Sequence, residues 1–391
     1  MNAFISPRNI YHGEGSLQVL ETILKKIDAQ SIFLLTDPIL KELNVIKPIL
    51  DIIHRLELTV EISTDVVPEP PLSVGNQLVG KVRKANPDLV IGVGGGSAID
   101  LAKAAAVLAE NEGEVEDYLN LTGKKELQSK GLPKVLIPTT AGTGAEVTDI
   151  AVFSLEDTKD VITHEYLIAD YAIVDPVLTY TLPPKVTAAS GVDAFTHAIE
   201  AYTSVNATAL TDTLAKEAMD RIAGNIRTAV WNGRDKKARE EMALGSLIAG
   251  MSFYNAGVAG VHGLAYPLGG LFKIPHGESN AVLLPYVYDH IWPSCIEKMV
   301  NIAEIIGLPL GGKSDREIAV GVVLSLRDLV KDVGLPATIK EYDITQDDIE
   351  VLTENGMKQT RLLSRSPKKL TKEDIREIYQ NAYDGTLKSI E

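Results

Sequence analysis

DLVIGVGGGSAIDLAK, residues 88–103, decides the fold. A β-branched apolar run enters Gly94, Gly95 and Gly96 and leaves them, after Ser97, as a helix-forming stretch. Glycines at such a strand-to-helix turn let backbone approach a phosphate, and the helix start offers unpaired N–H groups with a partial positive charge. The spacing is not the usual G-x-G-x-x-G fingerprint, so a tight turn without a ligand stays open as a reading.

Outward from this turn the first half repeats the alternation. SIFLLT (31–36), LTVEIST (58–64), VLIPTT (135–140), IAVFSL (150–155) and YAIVD (171–175) read as strands, with amphipathic stretches at 16–29 and 72–86 between them. That pattern predicts βαβ units on a mostly parallel sheet. After Leu182-Pro183-Pro184 the strand signals stop, and helices are expected over 186–205, 207–231, 235–254, 296–306, 314–333, 346–355 and 371–385. The expectation is an α/β dinucleotide-binding domain over residues 1–184 and an all-helical domain over 185–391, since proline removes a backbone donor and discourages helix before it.

The 391 residues carry 38 basic and 53 acidic side chains, a formal net charge of −15, with 45% hydrophobic and 23% charged composition. That balance argues against nucleic acid as a partner, because phosphate backbones want concentrated Lys and Arg. No apolar run of about 18 residues suggests a membrane span. The N-terminal stretch lacks the basic start and apolar core of a signal peptide. The single cysteine, Cys295, excludes an intramolecular disulfide and points to the cytoplasm.

Two further turns bear on nucleotide binding. Thr139, Thr140 and Thr143 share a glycine-bearing turn after strand 135–140, where open α/β sheets bind ligands, although Thr143 and Glu146 also fit a plain capping pattern. Asp37 directly follows strand 31–36, as a ribose-binding carboxylate does, and would disfavour a 2′-phosphate; an ordinary turn aspartate is the alternative.

The second half holds Asp193 and His197 one helical turn apart, then His262 and His276 fourteen residues apart in Gly/Pro-flanked apolar settings. Three imidazoles and one carboxylate suit a borderline divalent ion, Fe²⁺ or Zn²⁺. Hydrogen-bonded core histidines and a solvated Asp/His pair remain the competing interpretation.

GGGSAIDLAKA, PTTAGTGAEVT, AIVDP, LPPKVTAASGVDAFTHAIEAYTS and VHGLAYPLGGLFKIPHGESNAVLLP together resemble the iron-containing (group III) alcohol dehydrogenases. The segments fall in family order and cover most of residues 1–290. The resemblance implies a dehydroquinate synthase-like architecture, with metal in the cleft between the two domains. By position, the family's metal ligands fall on Asp193, His197, His262 and His276. Its pyrophosphate turn falls on Gly94, Gly95, Gly96 and Ser97, with Asp100 near the nicotinamide-side phosphates or amide. Its threonine turn falls on Thr139, Thr140 and Thr143, its cofactor-contacting lysine on Lys159 and its ribose aspartate on Asp37. Where many members carry a second histidine thought to move the proton, this chain has Tyr266, a poor base at neutral pH. The activity implied is NAD-dependent interconversion of a short primary alcohol and its aldehyde, through a metal-stabilised alkoxide and hydride transfer, by a homodimer or larger homo-oligomer. NADP is disfavoured. A hydroxyacid–oxoacid transhydrogenase with captive NAD is the alternative on the same fold, and a non-catalytic metal- or nucleotide-binding scaffold the alternative of another class. Asp149, Phe253, Tyr254 and Tyr266 are candidate pocket walls.

Overall fold

The computed structural model describes residues 3–156 and 158–390. The chain divides into two compact units, Ser6–Thr181 and, together, Met1–Ile5 with Leu182–Glu391.

The first unit is built on β1 (Ile10–His12), α1 (Val19–Ile27), β2 (Ser31–Thr36), α2 (Pro38–Glu42), α3 (Lys47–Arg55), β3 (Thr59–Ser63), α4 (Leu72–Ala85), β4 (Leu89–Gly94) and α5 (Gly96–Leu108). It continues through β5 (Lys134–Pro138), β6 (Ile150–Ser154), β7 (Lys159–Thr163) and β8 (Tyr171–Val174). Six strands form one parallel sheet in the order β1-β8-β5-β4-β2-β3. Side chains alternate across a strand, and both faces here are covered. Phe33, Leu35, Val90 and Leu136 join α4 and α5 in one core. Ile32, Leu34, Leu89, Ile91 and Val135 join α1 and α3 in the other. That two-sided burial is why the strands read as continuous apolar runs. The chain leaves β2 toward β3 and leaves β4 toward β5, in opposite directions. The switch point therefore falls between the C-terminal ends of β2 and β4, where Thr36 pairs with Val93.

The expectation that 150–155 joins the parallel sheet is corrected. β6 pairs antiparallel with β7, a strand absent from the sequence reading, in a separate two-stranded sheet. Only residues 155–158 connect them, closed by the Leu155 N–H donating to the Thr158 carbonyl at 2.8 Å. A parallel return needs a crossover of about a dozen residues or more.

The second unit holds α6 (Pro184–Thr203), α7 (Ala209–Trp231), α8 (Lys236–Ala256), α9 (Gly260–Phe272), α10 (His276–Ile291), α11 (Ile296–Ile305), α12 (Asp315–Asp332), α13 (Asp348–Met357), α14 (Thr360–Leu363) and α15 (Lys372–Asp384). Helix α6 starts with Pro184 in its first turn, where a missing N–H costs nothing. Helices α9 and α10 were not expected, because Pro267 and Pro285 lie inside them. Their burial outweighs that local penalty: nearly every residue of α10 after its first turn is buried. Helix α10 packs against α6, α9, α12 and α15. Among the described residues no single helix is long and apolar enough to cross a membrane.

Candidate metal centre and nucleotide-binding turns

In the α/β unit, β4 passes very close to α5. A Cβ at Gly92 would lie 2.5 Å from Cβ of Ala102, and one at Gly94 2.6 Å from Cβ of Ala98. Gly94 also has φ +153°, a conformation that favours glycine. At Gly96 a Cβ would meet Cγ2 of Thr143 at 2.8 Å, so the two turns are fitted to each other. At Gly95 it would reach only ordinary contact with Thr140, 3.5 Å away. Protein packing thus requires glycine at 92, 94 and 96 but leaves the backbone at 95 open. Thr139 is buried at the end of β5, its N–H donating to the Gly94 carbonyl at 3.0 Å. The Thr143 hydroxyl accepts from the Ala145 N–H at 3.3 Å.

Ser97 Oγ accepts from the Glu69 N–H at 3.2 Å, and the Glu69 carboxylate pairs with Lys159 at 2.8 Å. These contacts connect the first turn of α5 to β7. Asp37 is half-buried and caps α2 by accepting from the Ile39 N–H at 2.7 Å. Asp100 is anchored by two partners within the protein. One carboxylate oxygen accepts from the Val152 N–H at 3.1 Å and the other lies 2.9 Å from Lys103 Nζ. Burial raises the Asp100 carboxyl above its ordinary range despite that lysine.

Sequence reasoning missed Lys103. It is fully buried and donates to the Ala145 carbonyl at 2.9 Å, to Thr148 Oγ1 at 3.2 Å and to the Ile150 carbonyl. It therefore ties α5 to the loop that leaves the threonine turn. The adjacent Glu146 is buried too, and desolvation pushes its carboxyl up to about 7, with Lys103 pulling the other way.

In the helical unit, α6 presents Asp193 and His197 on one face, α9 presents His262 in its first turn, and α10 begins with His276. Each offers one ligand atom, and all four atoms lie within 4.8 Å of one another. Asp193 Oδ1 lies 3.7 Å from His262 Nε2 and 3.6 Å from His276 Nε2, while His262 Nε2 lies 3.0 Å from His197 Nε2. A tetrahedral ion with N and O bonds near 2.1 Å has ligand–ligand edges of roughly 3.4 Å, so the spacing fits. Three of the side chains are 3–5% exposed, whereas His276 is 28% exposed and marks the accessible side. Burial pushes the Asp193 carboxyl up, but the three imidazoles outweigh it and hold it below the ordinary range.

Close approach of α10 to α6 depends on Gly277, where a Cβ would lie 2.4 Å from the Ala189 carbonyl oxygen. His262 is fixed from behind: its Nδ1 lies 2.6 Å from Glu200 Oε2, and Glu200 Oε1 accepts from the Val261 N–H at 2.6 Å. With Nδ1–H of His262 donating to the Glu200 carboxylate, Nε2 of His262 presents a lone pair to the centre, the arrangement that orients metal-binding histidines. Glu200 was missed, although its place seven residues after Asp193 put it on the same helix face. Phe253 stacks on His197, centroids 4.2 Å apart at 17°. Tyr266 is half-buried, its ring centroid 6.2 Å from that of His276. Asn280, also missed, sets its amide nitrogen 2.7 Å from Asp193 Oδ1.

Comparison with known proteins accounts for both halves. Residues 7–176 match the profile described as iron-containing alcohol dehydrogenase, and residues 187–383 match the Fe-containing alcohol dehydrogenase family, C-terminal. The chain belongs to the iron-containing alcohol dehydrogenase family. Long-chain-alcohol dehydrogenase 1 of Geobacillus thermodenitrificans is 52% identical over 375 residues, spanning 96% of this chain and 95% of that protein. A crystal structure of 1,3-propanediol oxidoreductase superposes with TM-score 0.93 at 32% identity, covering 98% of this chain and 100% of that one. Sulfoacetaldehyde reductase from Bifidobacterium kashiwanohense, solved in complex with NAD⁺, superposes with TM-score 0.87 at 26% identity over 99% of this chain and 100% of that one. As an iron-containing alcohol dehydrogenase family member, the protein is an oxidoreductase acting on alcohols or aldehydes.

Proposed function

We propose that the protein is an NAD-dependent dehydrogenase that interconverts a primary alcohol and its aldehyde, with Fe²⁺ held by Asp193, His197, His262 and His276. The observation that carries the reading is the convergence of those four ligand atoms, with only His276 substantially exposed. Zn²⁺ suits the same donors. When bound, the ion supplies a Lewis acid beside the substrate oxygen and NAD a hydride acceptor.

The chain's own residues do the rest. Glu200 keeps His262 in the ligating tautomer, and Phe253 covers the His197 ring against water. Tyr266 is proposed as a wall on the His276 side rather than as the base. The open backbone at Gly95 and the start of α5 receive the pyrophosphate, flanked by Ser97, Thr139, Thr140 and Thr143, and Lys159 contacts the cofactor. Asp37, one residue beyond the β2–β4 pairing at the switch point, takes the ribose and selects against a 2′-phosphate. Asp100 serves to hold the hairpin.

On chain length, the expectation of a short alcohol has a competitor. The 52% identical relative is named a long-chain-alcohol dehydrogenase, which favours longer alkan-1-ols as a second reading. A homo-oligomer and a cytoplasmic location complete the proposal. The half-buried Cys295 thiol is pushed up to about 12 by desolvation, which keeps it a poor nucleophile.

The test is NADH absorbance with Fe²⁺-loaded protein, NAD and alkan-1-ols of increasing length, with Asp193→Ala beside it. Wild type should produce NADH and the variant none, and the chain-length profile separates the two substrate readings. Absence of NADH with every alcohol, at full metal loading, overturns the dehydrogenase and points to a transhydrogenase with captive nucleotide.

A further inference from the structure

Asn280 lies one turn into α10 and is completely buried. Its Nδ2 is 2.7 Å from Asp193 Oδ1, 3.1 Å from His262 Nε2 and 3.2 Å from His276 Nε2, so one amide group touches three of the four ligand atoms. The amide orientation follows from chemistry. An ionised carboxylate only accepts, so the NH₂ end must face Asp193. The other end, Oδ1, is buried with no hydrogen-bond partner among the described residues. A side chain kept only to fill the core would avoid that cost, and leucine has the same branched skeleton of heavy atoms.

We propose that Asn280 is a positioning residue of the metal centre. Its two N–H groups, one on Asp193 and the other shared between His262 and His276, hold the three in ligating arrangement before the ion arrives, and the first stays on Asp193 afterwards. An imidazole nitrogen has a single lone pair and cannot serve both an N–H and an ion, whereas a carboxylate oxygen has two. Metal entry therefore releases the two histidines from Asn280 and leaves the hydrogen bond to Asp193. Without the amide, Asp193 Oδ1, His262 Nε2 and His276 Nε2 lose the one donor group that all three touch. This inference rests on the metal-centre reading above.

Cobalt(II) titration of the metal-free protein, followed by its visible bands and by chelator competition, tests both separately. Wild type should bind Co²⁺ and Asp193→Ala should not; equal binding by the two removes the metal-centre reading itself. With that arm passed, Asn280→Ala should retain the far-UV circular dichroism of wild type, bind Co²⁺ about 10–100-fold more weakly and show altered bands. Wild-type affinity with unaltered bands overturns the proposal. If Asn280→Ala does not fold, Asn280→Asp decides. A carboxylate facing Asp193 should lower the melting temperature of the metal-free protein and enlarge the rise on adding Co²⁺. A rise equal to that of wild type overturns the proposal.

Discussion

Glu146 shows how much a single buried carboxyl contributes. Its folded-state value of about 7 stands above the 4.5 of an unfolded glutamate, so the neutral form is the one the fold prefers. The contribution to stability is therefore fully present below about pH 4.5 and is lost as pH rises through about 7. Glu146→Gln should remove that slope. Urea unfolding should show the variant gaining on wild type from about pH 5 to about pH 8, by at most about 3 kcal/mol. Parallel pH profiles for the two proteins would refute this. At this scale the sequence was most informative about residues with unusual chemistry and least about their partners. Three of the four metal-ligand candidates stand out because imidazoles are rare in the chain, and Asp193 by its place one helical turn before His197. Glu200 meets His262 across 62 residues and Asn280 meets Asp193 across 87, and neither pairing leaves a local pattern.

Among the elements, α6, α9 and α10 act as three rods whose spacing sets the ligand cluster. Gly277 is a point of close approach between α10 and α6, and the neighbour there is backbone, which yields poorly. Gly277→Ala should push the start of α10 off α6, carrying His276 away from Asp193. Overpacking of this kind costs about 1–3 kcal/mol, and metal affinity should fall with it; chelator competition and a thermal melt measure the two. Unchanged affinity would show that α6 and α10 have slack. Helix α6 was legible because its sequence period and its Pro-Pro start agree. Helices α9 and α10 were not: proline and glycine punctuate them, and tertiary burial overrides a local preference that the sequence states correctly. In the same way β6 looks like any half-buried strand. Its antiparallel partner is revealed by the four-residue connection, a matter of reach rather than of composition.

For the molecule as a whole, the proposed ligands come from three helices of one unit, so an ion bound there would couple to that unit's stability. Metal at a hundredfold its dissociation constant stabilises by about 2.7 kcal/mol. Chelation should thus lower the melting of the helical unit and speed amide exchange in α6, α9 and α10, leaving β2, β4 and β5 as protected as before. Melting unaffected by chelator would count against a resident ion. The division between the two units falls between Thr181 and Leu182, just before Pro183-Pro184. The attachment of the chain's start to the second unit leaves no local signal in the sequence. Ile5 joins the helical unit by donating to Asn255 Oδ1 at 2.7 Å and accepting from its Nδ2 at 2.9 Å, 250 residues away.

That pinned N-terminal segment sets an order of events during synthesis. Residues 6–181 are contiguous and can close around their sheet while the ribosome is still making α6. The segment at Ile5 precedes them yet must wait for Asn255 at the far end of α8. The α/β unit is thus inserted within the helical one, so the half that is begun first is finished last. The backbone N–H and carbonyl of Ile5 acquire their partner only late in translation.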